Sequence, residues 1–337
     1  MTTTTNGAAL EHEIGATGSF HLRQLSGSIF LRGVDGGTAR VVERTGKSLA
    51  EGFHIETGEG RLSLTAPDRA GLNMVFDIGR RSSFDLEVEV PRGATVSIES
   101  ASAELRLADL TNQLRIRTAS GDLTLDGIAG TLELDAVSGD ARIEAVGALD
   151  LRARTISGDL SVRAPRLGKA EIGTTSGDVR VDALLAGPGP FSIETVSGDA
   201  TIVGRMGLRI EARTVTGDMR SELPHRREAG PGRKQLVVGD GAVPFTFRSV
   251  SGDLRVTTPR DSLPAGGAIG DTPVVAPEAP VPAVPPTAPA APVPPAAPTN
   301  PGAGGREVAR MDVLRALERG ELSVEAAMRR IAEIEEA

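Results

Sequence analysis

Cysteine, tryptophan and tyrosine are absent from the 337 residues, and eight Phe are the whole aromatic content. Without Cys there is no disulfide, no thiolate metal site and no Cys nucleophile. Without Trp or Tyr, the stacking faces that hold single-stranded nucleic acids and glycans are few, as are the usual aromatic interface anchors, which counts against all three kinds of site. Positive charge is also short. The net charge is -8, whereas polyanion binding rests on clustered Lys and Arg, so no nucleic-acid partner is expected. No run approaches the ~18 apolar residues of a membrane span. The opening "MTTTTNGAALEHEIGATGSF" lacks a basic stretch followed by an apolar core, so no signal peptide is read and the expected location is cytoplasmic. The four His, His12, His21, His54 and His225, are scattered without metal-ligand spacing. No Gly-rich loop opens a helix, and there is no nucleophile elbow. No catalytic residue, cofactor or metal is expected.

Repetition is what the chain does have. A Ser-Gly-Asp triplet recurs as Ser120-Gly121-Asp122, Ser138-Gly139-Asp140, Ser157-Gly158-Asp159, Ser176-Gly177-Asp178, Ser197-Gly198-Asp199, Thr216-Gly217-Asp218 and Ser251-Gly252-Asp253. The glycine spacings are 18, 19, 19, 21, 19 and 35 residues. "ESASAELRL" fits one step earlier, with Ala103 in the Gly place, and "QLSGSIFL" at Ser26 to Ser28 is a diverged, still earlier copy. Apolar and polar residues alternate on both sides of each triplet, as in Leu123-Thr124-Leu125 and Leu132-Glu133-Leu134. Period two means strands with one buried face. An extra apolar residue before the Ser (Val137, Ile156, Val196, Val215, Val250) breaks the parity, which predicts a bulge or corner. One such unit cannot bury its apolar face alone, but stacked units can. The predicted fold is therefore mainly β: a β-solenoid of stacked two-strand rungs of about 19 residues. Outward residues support stacking, because Arg115 and Arg117, Glu133 and Asp135, Arg152 and Arg154, then Glu171 alternate in sign if consecutive rungs adjoin. The alternation fades beyond Glu171.

The triplets could line up calcium sites or merely turn the chain. Each rung offers one Asp, far from the dense Gly-Asp turns of calcium β-rolls, and Ca²⁺ takes ~6–8 oxygens. Glycine permits positive φ or close approach at a corner, and Ser and Asp can hold a bend through local N–H groups. The structural corner is the preferred reading. The interruption at residues 219–250 holds a basic loop, His225, Arg226, Arg227, Arg233 and Lys234, a candidate partner-binding site on a rigid scaffold. It is followed by an expected hairpin about Gly239-Asp240-Gly241.

The remaining segments complete the expected organisation: a disordered N-terminus over 1–17, the solenoid over 18–262, a Pro/Ala-rich linker over 263–304, and a helical hairpin over 305–337. From Pro273 to Pro301, 12 of 29 residues are Pro, a composition that favours an extended spacer. Beyond it, Val308, Met311, Leu314 and Leu317 share one helical face, and Val324, Ala327, Met328, Ile331 and Ile334 a second. Gly320 suits the intervening stop and Ser323 an N-cap. At this size the hairpin needs a partner or another copy of itself. Met311, Leu314, Leu317, Met328 and Ile331 are its candidate contacts.

The run "FDLEVEVPRGATVSIES" followed by "SGDLTL"-type rungs resembles the bacterial putative-adhesin, β-strand-repeat family known as domain of unknown function 4097, over most of residues 20–258. The tail "DVLRALERGELSVEAAMRRIAEIE" resembles a SHOCT-like helical module. In some Gram-positive envelope-stress proteins these two are joined, which implies a regulatory or sensing role with a peripheral link to an envelope protein. The expected function is a non-catalytic β-repeat scaffold that acts by protein interaction or self-association. The alternatives are an adhesin-like surface module that binds glycan or protein, which requires export, and a polysaccharide-active β-helix enzyme, which requires a carboxylate cluster.

Overall fold

The computed structural model describes residues 3–67, 83–205, 207–230 and 233–259. They form a mainly β structure in which rungs stack in register. Each rung has two segments joined at the Ser-Gly-Asp corner. The segments before the corners make one column and the segments after them make a second, and the longer strands bend from one column into the other.

The first column runs through β6 (Arg61–Thr65), the first part of β3 (Ser19–Val34), the first part of β8 (Thr95–Ala108), β9 (Gln113–Ser120), the ends of β10 (Leu123–Ser138), β11 (Ala141–Ser157) and β12 (Leu160–Ser176), and then β14 (Phe191–Ser197). All of these neighbours are parallel. The second column runs through β7 (Phe84–Pro91), the later part of β3, the later part of β8, the starts of β10, β11 and β12, then β13 (Val179–Leu185) and β15 (Ala200–Val203). Their inward residues, alternating along every segment, close into one core that includes Leu22, Ile98, Ile116, Leu134, Ile172 and Ile193. Ser26–Ser28 and the Ala103 unit are adjacent rungs, with Gly27 facing Ala103. The described strands between them build the first end of the stack, some continuing the two columns and others capping them.

That cap corrects one expectation. Residues 3–17 are not disordered: β1 (Thr3–Asn6) and β2 (Ala9–Glu13) join β4 (Thr38–Glu43) and β7 as an antiparallel sheet on the second column. Leu10 and Ile14 enter the core, and buried His12 places its Nε2 2.9 Å from the Gly58 carbonyl. Period-two alternation within a short polar stretch was the available signal. β5 (His54–Gly58) pairs antiparallel with β6 and covers the start of the first column. A single helical turn, Leu49–Gly52, precedes it.

The other end breaks the order of the sequence. β16 (Leu208–Thr216) does not stack on β14. Instead β20 (Val243–Ser251) lies between them, parallel to both. In the second column β21 (Leu254–Thr257) lies between β15 and β17 (Met219–Ser221). The corners therefore run Gly177, Gly198, Gly252, Gly217 through space. The outer edge of β16 is covered by β19 (Arg233–Val238), which pairs in turn with β18 (His225–Gly230), both antiparallel. Thus β18–β19 is the hairpin. The one expected about Gly239-Asp240-Gly241 does not form, because β19 and β20 lie on opposite sides of β16 and that turn crosses over its end at Gly207.

This insertion changes which outer charges meet at the far end of the stack. Arg117 pairs with Glu99 and Asp135, at 3.9 and 3.6 Å, and Arg152 with Glu171 at 4.0 Å. In the same column Glu194 faces Arg248, not Arg213, and the two bond at 2.8 Å. One contact of opposite charge is thus recovered through space, although Arg248 faces Arg213, a like charge, on its other side.

The proposed linker over 263–304 and the helical hairpin over 305–337, with Met311, Leu314, Leu317, Met328 and Ile331, lie outside the described residues. Among the described residues no helix is long and apolar enough to cross a membrane.

Candidate interaction surface

The corner is the most regular part of the surface. Gly121, Gly139, Gly158, Gly177 and Gly198 take φ between +112° and +145°, a region that side chains disfavour. A Cβ on each would also meet the carbonyl oxygen of the corner residue one rung below. Gly252 and Gly217 answer to the close approach alone: their Cβ atoms would meet the carbonyls of Gly198 and Gly252 respectively.

Beside the glycines runs a ladder of carboxylates. The backbone N–H of Asp140 donates to Asp122 Oδ1 at 3.1 Å, Asp159 to Asp140 at 2.8 Å, Asp178 to Asp159 at 2.8 Å, and Asp199 to Asp178 at 2.8 Å. The ladder continues in spatial order: Asp253 donates to Asp199 and Asp218 to Asp253, both at 2.9 Å. Each of these carboxylates except that of Asp218, the last in the column, thus receives a charge-assisted bond. At the other end, separately from this run, Asp85 accepts from the N–H and the hydroxyl of Ser28, at 3.0 and 2.8 Å, the same kind of contact at an earlier corner. A vertical repulsion of ~1 kcal/mol per pair in water is offset by these contacts. Among the described residues, no three or more His, Asp or Glu are grouped so as to hold a metal ion.

Two columns stand at the corner, the first unread in the sequence and the second read there only as a break in parity. Three residues before the glycine stands a small hydroxyl in six of the seven triplets, Ala136 being the exception before Gly139. Thr118, Thr155 and Thr174 donate to the carbonyls of Ser120, Ser157 and Ser176, at 3.0, 3.4 and 3.3 Å, tying the bend from inside. Gln24 fills that place in the first rung, its amide reaching Ser26 and Phe84 carbonyls at 2.8 and 2.7 Å. The recurring Thr two places before Ser was the available signal. The parity-breaking residues form the second column. Val137 is buried, but Val196, Val250 and Val215, on three successive rungs in space, are 48%, 50% and 78% exposed. They make an apolar ridge flanked by charge.

The basic residues of the interruption lie on the hairpin that closes the stack. His225, Arg226 and Arg227 on β18 are exposed. His225 Nδ1 lies 3.0 Å from the Leu223 carbonyl. Arg227 donates to the Met219 carbonyl at 2.9 Å, and Lys234 on β19 donates to the Gly217 carbonyl at 2.9 Å. Arg233 faces Gly230 across the hairpin. Two of these cations therefore satisfy carbonyls on the open edge of the terminal rung, where a further strand would otherwise bind. Leu236 and Val238, buried beneath, fasten the hairpin to the core.

Comparison with known proteins adds the following. The model of a family described as Toastrack DUF4097 matches residues 21–257. Among curated proteins none matches. The chain is similar to the structure of a putative adhesin from Bacteroides fragilis, with 11% identity, a TM-score of 0.42, and coverage of 75% of this chain and 98% of that one. It is similar also to a putative lipid binding protein from Parabacteroides distasonis, with 14% identity, a TM-score of 0.43, and coverage of 75% and 98%. A putative cell adhesion protein from Clostridium sporogenes matches with 9% identity, a TM-score of 0.25, and coverage of 75% and 100%.

Proposed function

The chain belongs to the Toastrack DUF4097 family, and from that premise we propose that it is a non-catalytic interaction module whose rigid solenoid presents a protein-binding surface. The observation that carries this reading is the ridge of Val196, Val250 and Val215. Exposed apolar side chains in line, one strand step apart and rimmed by ion pairs, suit contact with another protein better than contact with water. The column that sets their spacing is fixed by corner bonds, so the surface is ordered before a partner arrives. The C-terminal segment, with its two apolar stripes, would recruit or self-associate. The finer role is regulatory or sensing, in cell-envelope stress, which is what the resemblance of the tail to a SHOCT-like module implies.

The test is capture from native cell lysate, membranes included. Baits are the full chain, a chain ending at Ser262, and a full chain carrying Val215→Asp and Val250→Asp. A partner held by the first two and lost from the third supports the ridge. A partner held only by chains with the tail moves the binding function there. A bait set that captures nothing argues against the interaction reading.

A further inference from the structure

Rung β20–β21 stands between two rungs that are consecutive in the chain. We propose that this penultimate rung is exchangeable: β20–β21 can leave the stack while β16–β17 closes directly onto β14–β15, giving a shorter solenoid with its rungs in sequence order. The inference does not depend on what the surface binds.

Four observations converge on it. The first is register. Ser197 and Thr216 both face Ser251, on its two sides, and Ala200 and Met219 both face Leu254. Removing the middle rung leaves its neighbours already aligned. The second is the corner. Asp218 donates its N–H to Asp253, and Asp253 donates to Asp199. On closing, Asp218 finds on Asp199 the acceptor it has left on Asp253. Gly217 likewise finds over Gly198 the close approach it now makes over Gly252. The third is the outer charge. Glu194 faces Arg248, which faces Arg213, so closure sets Glu194 against another Arg. The fourth is the connector. Four residues, 204–207, join β15 to β16 across two rung steps, while five, 186–190, join β13 to β14 across one. Gly198 to Gly217 is 19 residues, the ordinary period for a single step.

The energetics permit the exchange. In a stack of nearest-neighbour contacts, taking out an internal rung breaks two interfaces, and closure remakes one. The net loss is one interface and one rung, the same as peeling a rung from the end. What holds the inserted order as the resting state is the core: Phe245 and Phe247 are buried there, and closure would set Ile193 against Ala212, leaving less volume filled. Two packings of one sequence that share their corner chemistry and differ in one rung make a bistable element. β21 ends at Thr257, so load on the chain beyond residue 259 acts on this rung before any other.

The absence of Cys makes a direct test available in the full chain. Neighbouring strands lie ~4.8 Å apart and second neighbours ~10 Å, while a disulfide needs Cα atoms within about 7 Å. E194C/R248C joins adjacent rungs and should close at once, reporting the native order. E194C/R213C joins rungs two steps apart that become neighbours only on exchange. R117C/R154C joins rungs two steps apart across Asp135 in the uninterrupted part of the stack, where no exchange is available. In dilute protein under mild oxidant, with circular dichroism confirming that the chain stays folded, E194C/R213C should close within one chain at least about tenfold faster than R117C/R154C. Equal rates would overturn the proposal. So would disulfides formed between chains, which would indicate exchange between copies instead.

Discussion

A glycine at a rung corner answers to two demands at once, and the mutational cost follows from both. Gly177 has φ +128°, and a Cβ there would strike the carbonyl oxygen of Gly158, a backbone atom that the stack does not let move. Gly177→Ala should destabilise by roughly 3 kcal/mol or more in urea unfolding. The neighbouring Asp is different, because its task is only to accept. Asp159→Asn keeps an oxygen for the Asp178 N–H and should change stability by less than about 0.5 kcal/mol; Asp159→Ala should cost about 1 kcal/mol. Neither value should move on adding calcium or a chelator. A calcium-dependent melting point abolished by the Asn variant would overturn the corner reading. Glu43 gives a pH signature. Burial pushes its carboxyl up, but hydrogen bonds from the Thr45 hydroxyl and from backbone N–H groups, including that of Lys47, outweigh this and hold it below its ordinary value. A depressed acid contributes stability that is present above its unfolded-state value and lost as pH falls through the folded one. Glu43→Gln should therefore weaken the protein at neutral pH, with the gap to the parent closing as pH drops below the ordinary carboxylate range.

Between elements, the outer charges decide which rung meets which. Exchanging Glu194 and Arg248 as a double swap should restore most of what either single reversal costs. The coupling in a double-mutant cycle should be about 0.2–1 kcal/mol, shrinking with salt, as for half-exposed pairs. Glu194 paired with Arg213 in the same cycle should show less coupling, because Arg248 stands between them. This is also where the sequence was least legible. Rungs from Gly121 to Gly198 could be read from spacing and parity, since each contact there joins neighbours along the chain. The insertion of β20 could not. Its corner, Ser251-Gly252-Asp253, carries the same residues as the others, so nothing local distinguishes a rung that stacks next from one that returns. The clue lay in Arg248, whose sign complements Glu194, but reading it required giving up sequence order. The cap formed by β1 and β2 was missed for another reason: its strands are short and polar, and along β2 and the residue after it the alternation of Leu10, His12 and Ile14 turned inward is brief. At the candidate surface, the basic residues of β18 and β19 were found by composition. Their bonds to the carbonyls of Gly217 and Met219 depend on a terminal position that composition does not encode.

At the scale of the molecule, stability should be graded along the stack. Each rung touches only its neighbours, so the interior of the column has two supports and the ends have one. Hydrogen exchange should release β18 and β1 first and the segments of β10, β11 and β12 last. Uniform protection from end to end would instead mean a single cooperative unit. The repeated corner has a further consequence, for inheritance. Every Gly-Asp corner offers the same atoms upward and downward, so no residue in the column records how many rungs there are. At the corner, an in-frame duplication or loss of one unit would meet its neighbours as well as the original did, leaving the outer charges and core volumes to be refitted. The length of the molecule is set by its two caps alone, and is the dimension along which descent can vary it most freely.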